Sequence, residues 1–260
     1  MSTITGLGLI LLVLMVIIGG KQGLQSFISL ILNFGFLFFS IVLIAFHFPP
    51  LIVTLVTGVI ILALTIFLSG TSDSTSQIAF VASLVVLGLL VLLIIPVEHW
   101  AQVQGFGLED SDDLEGMSIL VGIDYVQVAI TTAILSTLGA IAEATMAIAS
   151  GLDEIIEQHP HIQAKRLFMD GVLVGKQIIG TTLNTLFFGL FGGSLSLFIW
   201  FAGLHYSAGS IVNDKVFAGQ FVIILFSLIG VIITIPVTSL IMAQQHQSRQ
   251  NQKGKVDRND

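Results

Sequence analysis

The chain of 260 residues contains no cysteine and few charged side chains. Without cysteine it can form no disulfide bond, no cysteine-ligated zinc site and no thiol nucleophile. Charged residues make up 10% of the sequence, whereas soluble domains carry about 25%. So few charges cannot cover a globular surface in water, and the mean hydropathy of +1.01 favours a surface in lipid. The composition therefore predicts a multi-pass membrane protein whose surroundings are the lipid bilayer.

Sequence patterns for nucleic-acid binding, phosphate binding and catalysis are missing as well. There is no basic patch with interleaved aromatic residues, so nucleic-acid binding is without support. Neither a phosphate-binding loop of the GxxxxGK[ST] type nor a Ser-His-Asp pattern is found. His159 and His161 flank Pro160 in a polar bend, a setting more typical of loop residues than of metal ligands. We therefore expect no enzymatic activity, no metal and no cofactor.

Seven apolar stretches are long enough to cross a bilayer. A spanning helix needs about 20 mostly apolar residues, and backbone polar groups in lipid must be paired within the segment. The sequence therefore predicts an all-α, polytopic helical membrane protein with about seven transmembrane helices. Counts of six or eight remain alternatives, since residues 118–124 could lie on the surface and residues 191–193 could break the sixth span. The predicted spans are residues 4–20, 25–48, 51–68, 78–97, 126–150, 175–202 and 216–243.

Lysine and arginine are distributed unequally between the two sides of this arrangement. With seven spans, Lys215 lies on one side and the other basic residues lie on the opposite side. Because cytoplasmic segments carry an excess of Lys and Arg, the N-terminus is predicted outside and the C-terminus in the cytoplasm. The chain then divides into residues 1–97 with four transmembrane helices, an external acidic loop at 98–124, three transmembrane helices at 125–243 and a disordered cytoplasmic tail at 244–260.

Glu143 is the acidic residue placed inside a predicted span. It lies roughly 10 Å from the cytoplasmic end of the fifth span, at 1.5 Å per residue. Most of its helical neighbours three and four residues away are small, including Gly139 and Ala147. Acidic residues within membranes normally face a bundle interior or water. Two interpretations follow: a carboxyl group that binds a proton or cation, or a carboxyl group satisfied by a neighbour that fixes the helix register.

The sixth predicted span supplies polar partners for Glu143. Gln177, Thr181 and Asn184 share one helical face at spacings of four and three residues. Because this span begins at the cytoplasmic side, Thr181 and Asn184 should reach a depth similar to that of Glu143. We expect Asn184 to bond across to the neighbouring helix, and the threonine hydroxyls to bond to carbonyls of their own helix. Gly175 belongs to a small-residue pair that favours close helix packing.

Two motifs, in this order and at this separation, resemble the YibE/F-like family of bacterial multi-pass membrane proteins. They are LGAIAEATMAIASGLDEI at residues 138–155 and GVLVGKQIIGTTLNTLFFGLFGG at residues 171–193. The segment QGFGLED at residues 104–110 fits the same layout more loosely. The resemblance implies an integral protein of the bacterial cytoplasmic membrane and brings no established activity with it.

The chain departs from the pattern of the family that it resembles at two places. The family more usually has Asp where this chain has Glu143, and tends to carry an Arg-Asp pair where this chain has Lys176 and Gln177. A second intramembrane acid is therefore absent from the motif pair. Some members look as though they occur as two companion proteins, which implies a companion YibE/F-like protein, or a second copy, as a partner.

Two functions remain open from the sequence. The first is a transporter, or one half of a transporter, with a proton- or cation-linked carboxyl at Glu143 between the fifth and sixth spans. The alternative is a non-transporting membrane scaffold or partner subunit of a companion family member. In that alternative, Glu143 and the small-residue positions mediate helix association only. The candidate residues for ion linkage or helix packing are Glu143, Asn184, Thr181, Gln177, Gly139 and Gly175.

Overall fold

The structure is a computed structural model that describes residues 3–68, 72–105 and 124–256, with side chains to residue 251. Within these ranges every regular element is a helix, which confirms the all-α expectation. The elements are α1 (Thr3–Ala45), α2 (Pro50–Phe67), α3 (Asp73–Ala101), α4 (Tyr125–Gln158), α5 (Ala164–Gly193), α6 (Leu195–Gly203), α7 (Ala208–Asn213) and α8 (Lys215–Val256).

Five of the helices in the described ranges are long and apolar enough to cross a membrane: α1, α2, α3, α4 and α8. A sixth crossing results if α5 and α6 count as one span bent by 51°. The bend follows Gly193, where the sequence allowed the sixth span to break. The protein is therefore a polytopic helical membrane protein. The seven predicted spans are recovered only if the two parts of α1 cross separately.

The break in α1 lies at Gly20. Its backbone angles of φ 55° and ψ −130° are not helical, and positive φ is a conformation that glycine adopts at low cost. Three residues later, a Cβ atom at Gly23 would lie 2.6 Å from the carbonyl carbon of Met15. Residues 3–19 and 21–45 are therefore two helical parts with different directions. No residue before Gly23 in the described part of α1 is buried.

Helix α4 is the centre of the bundle, because it contacts α2, α3, α5 and α8. Its large apolar side chains Ile134, Ile141 and Ile148 are fully buried. In lipid there is little hydrophobic driving force between helices, so van der Waals packing of these side chains holds the bundle together. Hydroxyl groups between helices add directional contacts, as where Thr54 donates to the Thr131 hydroxyl at 3.0 Å.

The end of the bundle where α4 and α5 are joined, hereafter the joined end, is tied together by polar contacts. Thr75 in the first turn of α3 donates its hydroxyl to the Asp153 carboxylate at 2.6 Å. The Gln250 side-chain amide of α8 donates to the carbonyls of Pro160 at 3.0 Å and Ile162 at 3.3 Å. The predicted disorder of residues 244–260 is therefore wrong as far as Val256, because the polar tail continues α8 and docks on the α4–α5 connection.

The predicted external acidic loop begins later than residue 98. Residues 98–101 belong to α3, which continues past Pro96, and Gln102 ends the helix in a left-handed conformation. Residues 106–123 of this loop, which include five of its acids, lie outside the described residues. The second predicted span is shorter than expected, because α1 ends at Ala45 and not at residue 48.

Candidate functional site

Glu143 lies on the outer side of α4. Its side chain is exposed, as are those of Ser136 and Ala147 on the same stripe, and Gly139 has no neighbouring atom within 4 Å of a hypothetical Cβ. The expectation that Glu143 is enclosed between two helices of this chain is therefore wrong. The physical reason is the opposite stripe of α4, where isoleucines fill the core and turn the small and polar residues outward.

The polar residues of α5 are also on an outer side. Gln177, Thr181 and Asn184 are all exposed. The Thr181 hydroxyl donates to the Ile178 carbonyl at 3.0 Å, and the Thr185 hydroxyl donates to the Thr181 carbonyl at 3.0 Å. These bonds confirm the expectation that the hydroxyls of Thr181 and Thr185 bond to carbonyls of their own helix. The amides of Gln177 and Asn184 face outward.

The two outer stripes belong to neighbouring antiparallel helices. Gly151 of α4 packs against Val174 of α5, where a Cβ at Gly151 would lie 3.5 Å from Val174 Cγ1. Counting eight residues away from that contact along each helix reaches Glu143 on α4 and residue 182 on α5. Because both helices rise 1.5 Å per residue, Glu143 lies at about the depth of Thr181 and Asn184.

No hydrogen bond joins Glu143 to Asn184 in the part of the chain that the structure describes, so the expected interhelical bond is not made within one chain. The outer stripes of α4 and α5 together form what we call the polar face. Its members are Ser136, Gly139, Glu143 and Ala147 on α4, and Gln177, Gly180, Thr181 and Asn184 on α5.

Gly175 differs from the other candidates in its position. It is buried on the opposite side of α5, against α8, where a Cβ would lie 2.6 Å from Ile235 Cγ1. One turn earlier, a Cβ at Gly171 would lie 2.9 Å from Leu152 Cδ1. These two glycines let α5 approach its neighbours closely. Gly175 therefore belongs to the internal packing of the bundle and not to the polar face.

The two histidines of the α4–α5 connection line an open cavity of about 710 Å³ at the joined end. Arg166 and Asp170 lie in the same wall. Among the residues with a described structure, no three or more His, Asp or Glu side chains come together in a way that would hold a metal ion.

The sequence did not single out Glu98, which the structure buries. Only 2% of its surface is exposed, and it lines a cavity at the end of the bundle opposite the joined end, together with Gln104 and Lys215. The available signal was the run VEHW, which continues the apolar span past Pro96 without a further helix breaker.

The comparisons with known proteins identify the family of the chain. The family model described as YibE/F-like protein matches residues 7–248, so the chain belongs to the YibE/F-like family. No curated protein and no solved structure has a significant match to the chain.

Proposed function

We propose that this YibE/F-like protein is one subunit of a membrane transport assembly. In this assembly a second polytopic subunit covers the polar face, and Glu143 binds a proton or a cation at the interface. The observation that supports the proposal is the outward position of Glu143 together with three polar side chains of α5 at a comparable depth. A single chain leaves this face open.

The energetic argument starts from the cost of polar groups in lipid. A carboxylate at the centre of a membrane helix costs roughly 2.5–3.5 kcal/mol on insertion scales, and such groups normally face a bundle interior or water. The cost is lower nearer the interface, and the predicted span puts Glu143 roughly 10 Å from its cytoplasmic end. The exposed amides of Gln177 and Asn184 add to the cost. A partner that covers the face, or a water path along it, removes this cost.

The shape of the polar face fits a helical partner. Ser136, Gly139 and Ala147 are small, and with Glu143 they are spaced at three, four and four residues along one stripe of α4. Small residues in this pattern let the backbone of a second helix come close. The partner is either a second copy of this chain or a companion family member.

The same stripe supports a second candidate function, a scaffold or partner subunit without transport. In that case Glu143 only fixes the register between the subunits through a hydrogen bond. The two functions share the interface and differ in whether the Glu143 carboxyl exchanges a proton or cation during activity.

The interface is tested by cysteine cross-linking, for which the cysteine-free chain has no background. Ala147→Cys labelled with benzophenone maleimide in native membranes should give a photo-cross-link to a second copy or to a companion subunit. The matched control is Val81→Cys on α3, which is exposed and lies at about the same depth, judged from the Thr75–Asp153 contact. Equal cross-linking at both positions, or none at Ala147, contradicts the interface.

The role of the carboxyl is tested separately by Glu143→Gln. Dicyclohexylcarbodiimide modifies carboxyl groups in apolar surroundings, so it should label Glu143 in the assembly more than the exposed Glu157. Proton flux into proteoliposomes under an imposed membrane potential should fall at least tenfold in Glu143→Gln. Flux that is equal in both proteins, with the Ala147 cross-link retained, favours the scaffold.

A further inference from the structure

A second polar site lies at the end of the bundle opposite the joined end, one helical turn beyond Ser136, the last member of the polar face in that direction. A cavity of about 330 Å³ is formed where α3 ends and where α4 and α8 begin. Most of its wall is apolar, including Val128, Val216 and Ile223. Pockets of this size and composition, with a small number of polar groups, are typical of sites for small molecules. The polar or ionisable side chains in the wall are Glu98, Gln104, Tyr125, Thr132, Lys215 and Gln220.

Two hydrogen-bond acceptors of this cavity have no donor within residues 3–68, 72–105 and 124–251. Glu98 is 2% exposed, and its Oε2 atom is buried without a hydrogen-bond partner among the described residues. The Oε1 atom of Gln104 is buried and unpaired in the same way. A buried acceptor without a donor is unfavourable, and a buried carboxylate without a partner is more so. The wall formed by these two side chains is therefore suited to a group that is positively charged and carries several N–H donors.

A side chain of the opposite charge, Lys215, lines the same cavity. Lys215, the first residue of α8, is exposed. Its side chain lies over the backbone at Gly105, where a Cβ would be 2.8 Å from Lys215 Cδ and 3.1 Å from Nζ. Gly105 has a φ of 133°, a backbone conformation that favours glycine. No ion pair joins Lys215 to Glu98 across the described residues that form the cavity.

We propose that this cavity binds a small zwitterion of the amino-acid type. The ammonium group of the ligand donates hydrogen bonds to Glu98 and Gln104, and its carboxylate pairs with Lys215. A carboxylate and an ammonium group that share one cavity without pairing to each other are complementary to a ligand with both charges. A metal cation fits less well, because the Lys215 ammonium repels it. On the side assignment given by the positive-inside rule, this site opens to the exterior.

The proposal is tested by calorimetric titration of the full chain in lipid nanodiscs. The probes are glycine, β-alanine and 4-aminobutyrate, with methylammonium and acetate as ligands of one charge each. At least one zwitterion should bind, and at least tenfold more tightly than either single-charge probe. Methylammonium that binds as tightly as the best zwitterion, or the absence of binding by all three zwitterions, overturns the proposal.

Variants assign the binding to this cavity. Glu98→Gln and Lys215→Met should each weaken zwitterion binding at least tenfold, whereas Glu157→Gln at the joined end should leave it unchanged. Lys215 is exposed, so its replacement keeps the test valid even if Glu98→Gln fails to fold, which size-exclusion chromatography would reveal. Binding that persists in Lys215→Met assigns the ligand elsewhere and overturns the proposal. Because Glu143 is not involved, the result is independent of the transport function proposed above.

Discussion

Gly175 of α5 faces Ile235 of α8 so closely that a Cβ atom at Gly175 would lie 2.6 Å from Ile235 Cγ1 and 2.9 Å from Cδ1. Ile235 is 4% exposed and cannot move into open space. The contact between α5 and α8 therefore depends on the absence of a side chain at this position. It also fixes which side of α5 is internal and so places Gln177 and Asn184 outside.

The first prediction concerns this contact. Gly175→Ala should destabilise the folded protein by about 1–3 kcal/mol, because overpacking displaces Ile235. The measurement is unfolding in mixed micelles. Gly88→Ala in α3 is the control, since a Cβ there meets no atom within 4 Å. The higher helix propensity of alanine should stabilise this variant by about 0.5–1 kcal/mol. If both variants gain stability, α5 and α8 are not packed this tightly.

A second prediction concerns the hydrogen bond of Thr75 to Asp153, at 2.6 Å. Thr75→Val keeps the shape of the side chain and removes the donor to a carboxylate. We expect a loss of about 1–2 kcal/mol in the free energy of unfolding. A double-mutant cycle with Asp153→Asn should show coupling, whereas Thr132→Val should change stability by less than about 0.5 kcal/mol, because its exposed hydroxyl bonds only within α4. Additive effects of Thr75→Val and Asp153→Asn would falsify the bond.

The break in α1 gives a third prediction. At Gly23 a Cβ would meet the backbone of Met15, 2.6 Å from its carbonyl carbon, and backbone cannot give way as a flexible side chain can. Gly23→Ala should therefore change the angle between the two parts of α1. Pulsed electron resonance between spin labels at Leu11 and Phe38 should report a shifted distance. Gly19→Ala, with no atom near its Cβ, should leave that distance unchanged. If the distance is also unchanged in Gly23→Ala, the close approach of Gly23 to Met15 is contradicted.

The fourth prediction concerns the C-terminal part of α8. Gln250→Ala removes the donor to the Pro160 and Ile162 carbonyls. Amide hydrogen exchange of residues 244–256 should then become faster, because the docked helix opens locally at lower cost. Asn251→Ala, whose side chain is exposed, serves as the control and should exchange at the rate of the unmodified chain. Equal protection in both variants means that the tail does not depend on this docking.

Much of the fold follows from hydropathy alone. The seven apolar stretches fall on α1–α6 and α8, with two of them in α1. A chain with 10% charged residues has to pair its backbone inside lipid as helices. Helix periodicity also grouped Gln177, Thr181 and Asn184 on one face correctly. It did not say whether that face was internal, since periodicity gives relative directions around one helix and no reference to its neighbours.

The sequence by itself determined a helical membrane protein of the YibE/F-like family. It also determined that Glu143 and the polar residues of α5 lie at a similar depth along their helices. Both depend on local quantities, namely composition, motif and the fixed rise of a helix. Only the tertiary structure decided that Glu143 faces outward, that Glu98 is buried in a cavity that Lys215 also lines, and that Gln250 docks the tail. Those outcomes depend on which stripes of neighbouring helices pack together, which is set by the complementarity of side chains distant in the sequence, such as Gly175 and Ile235.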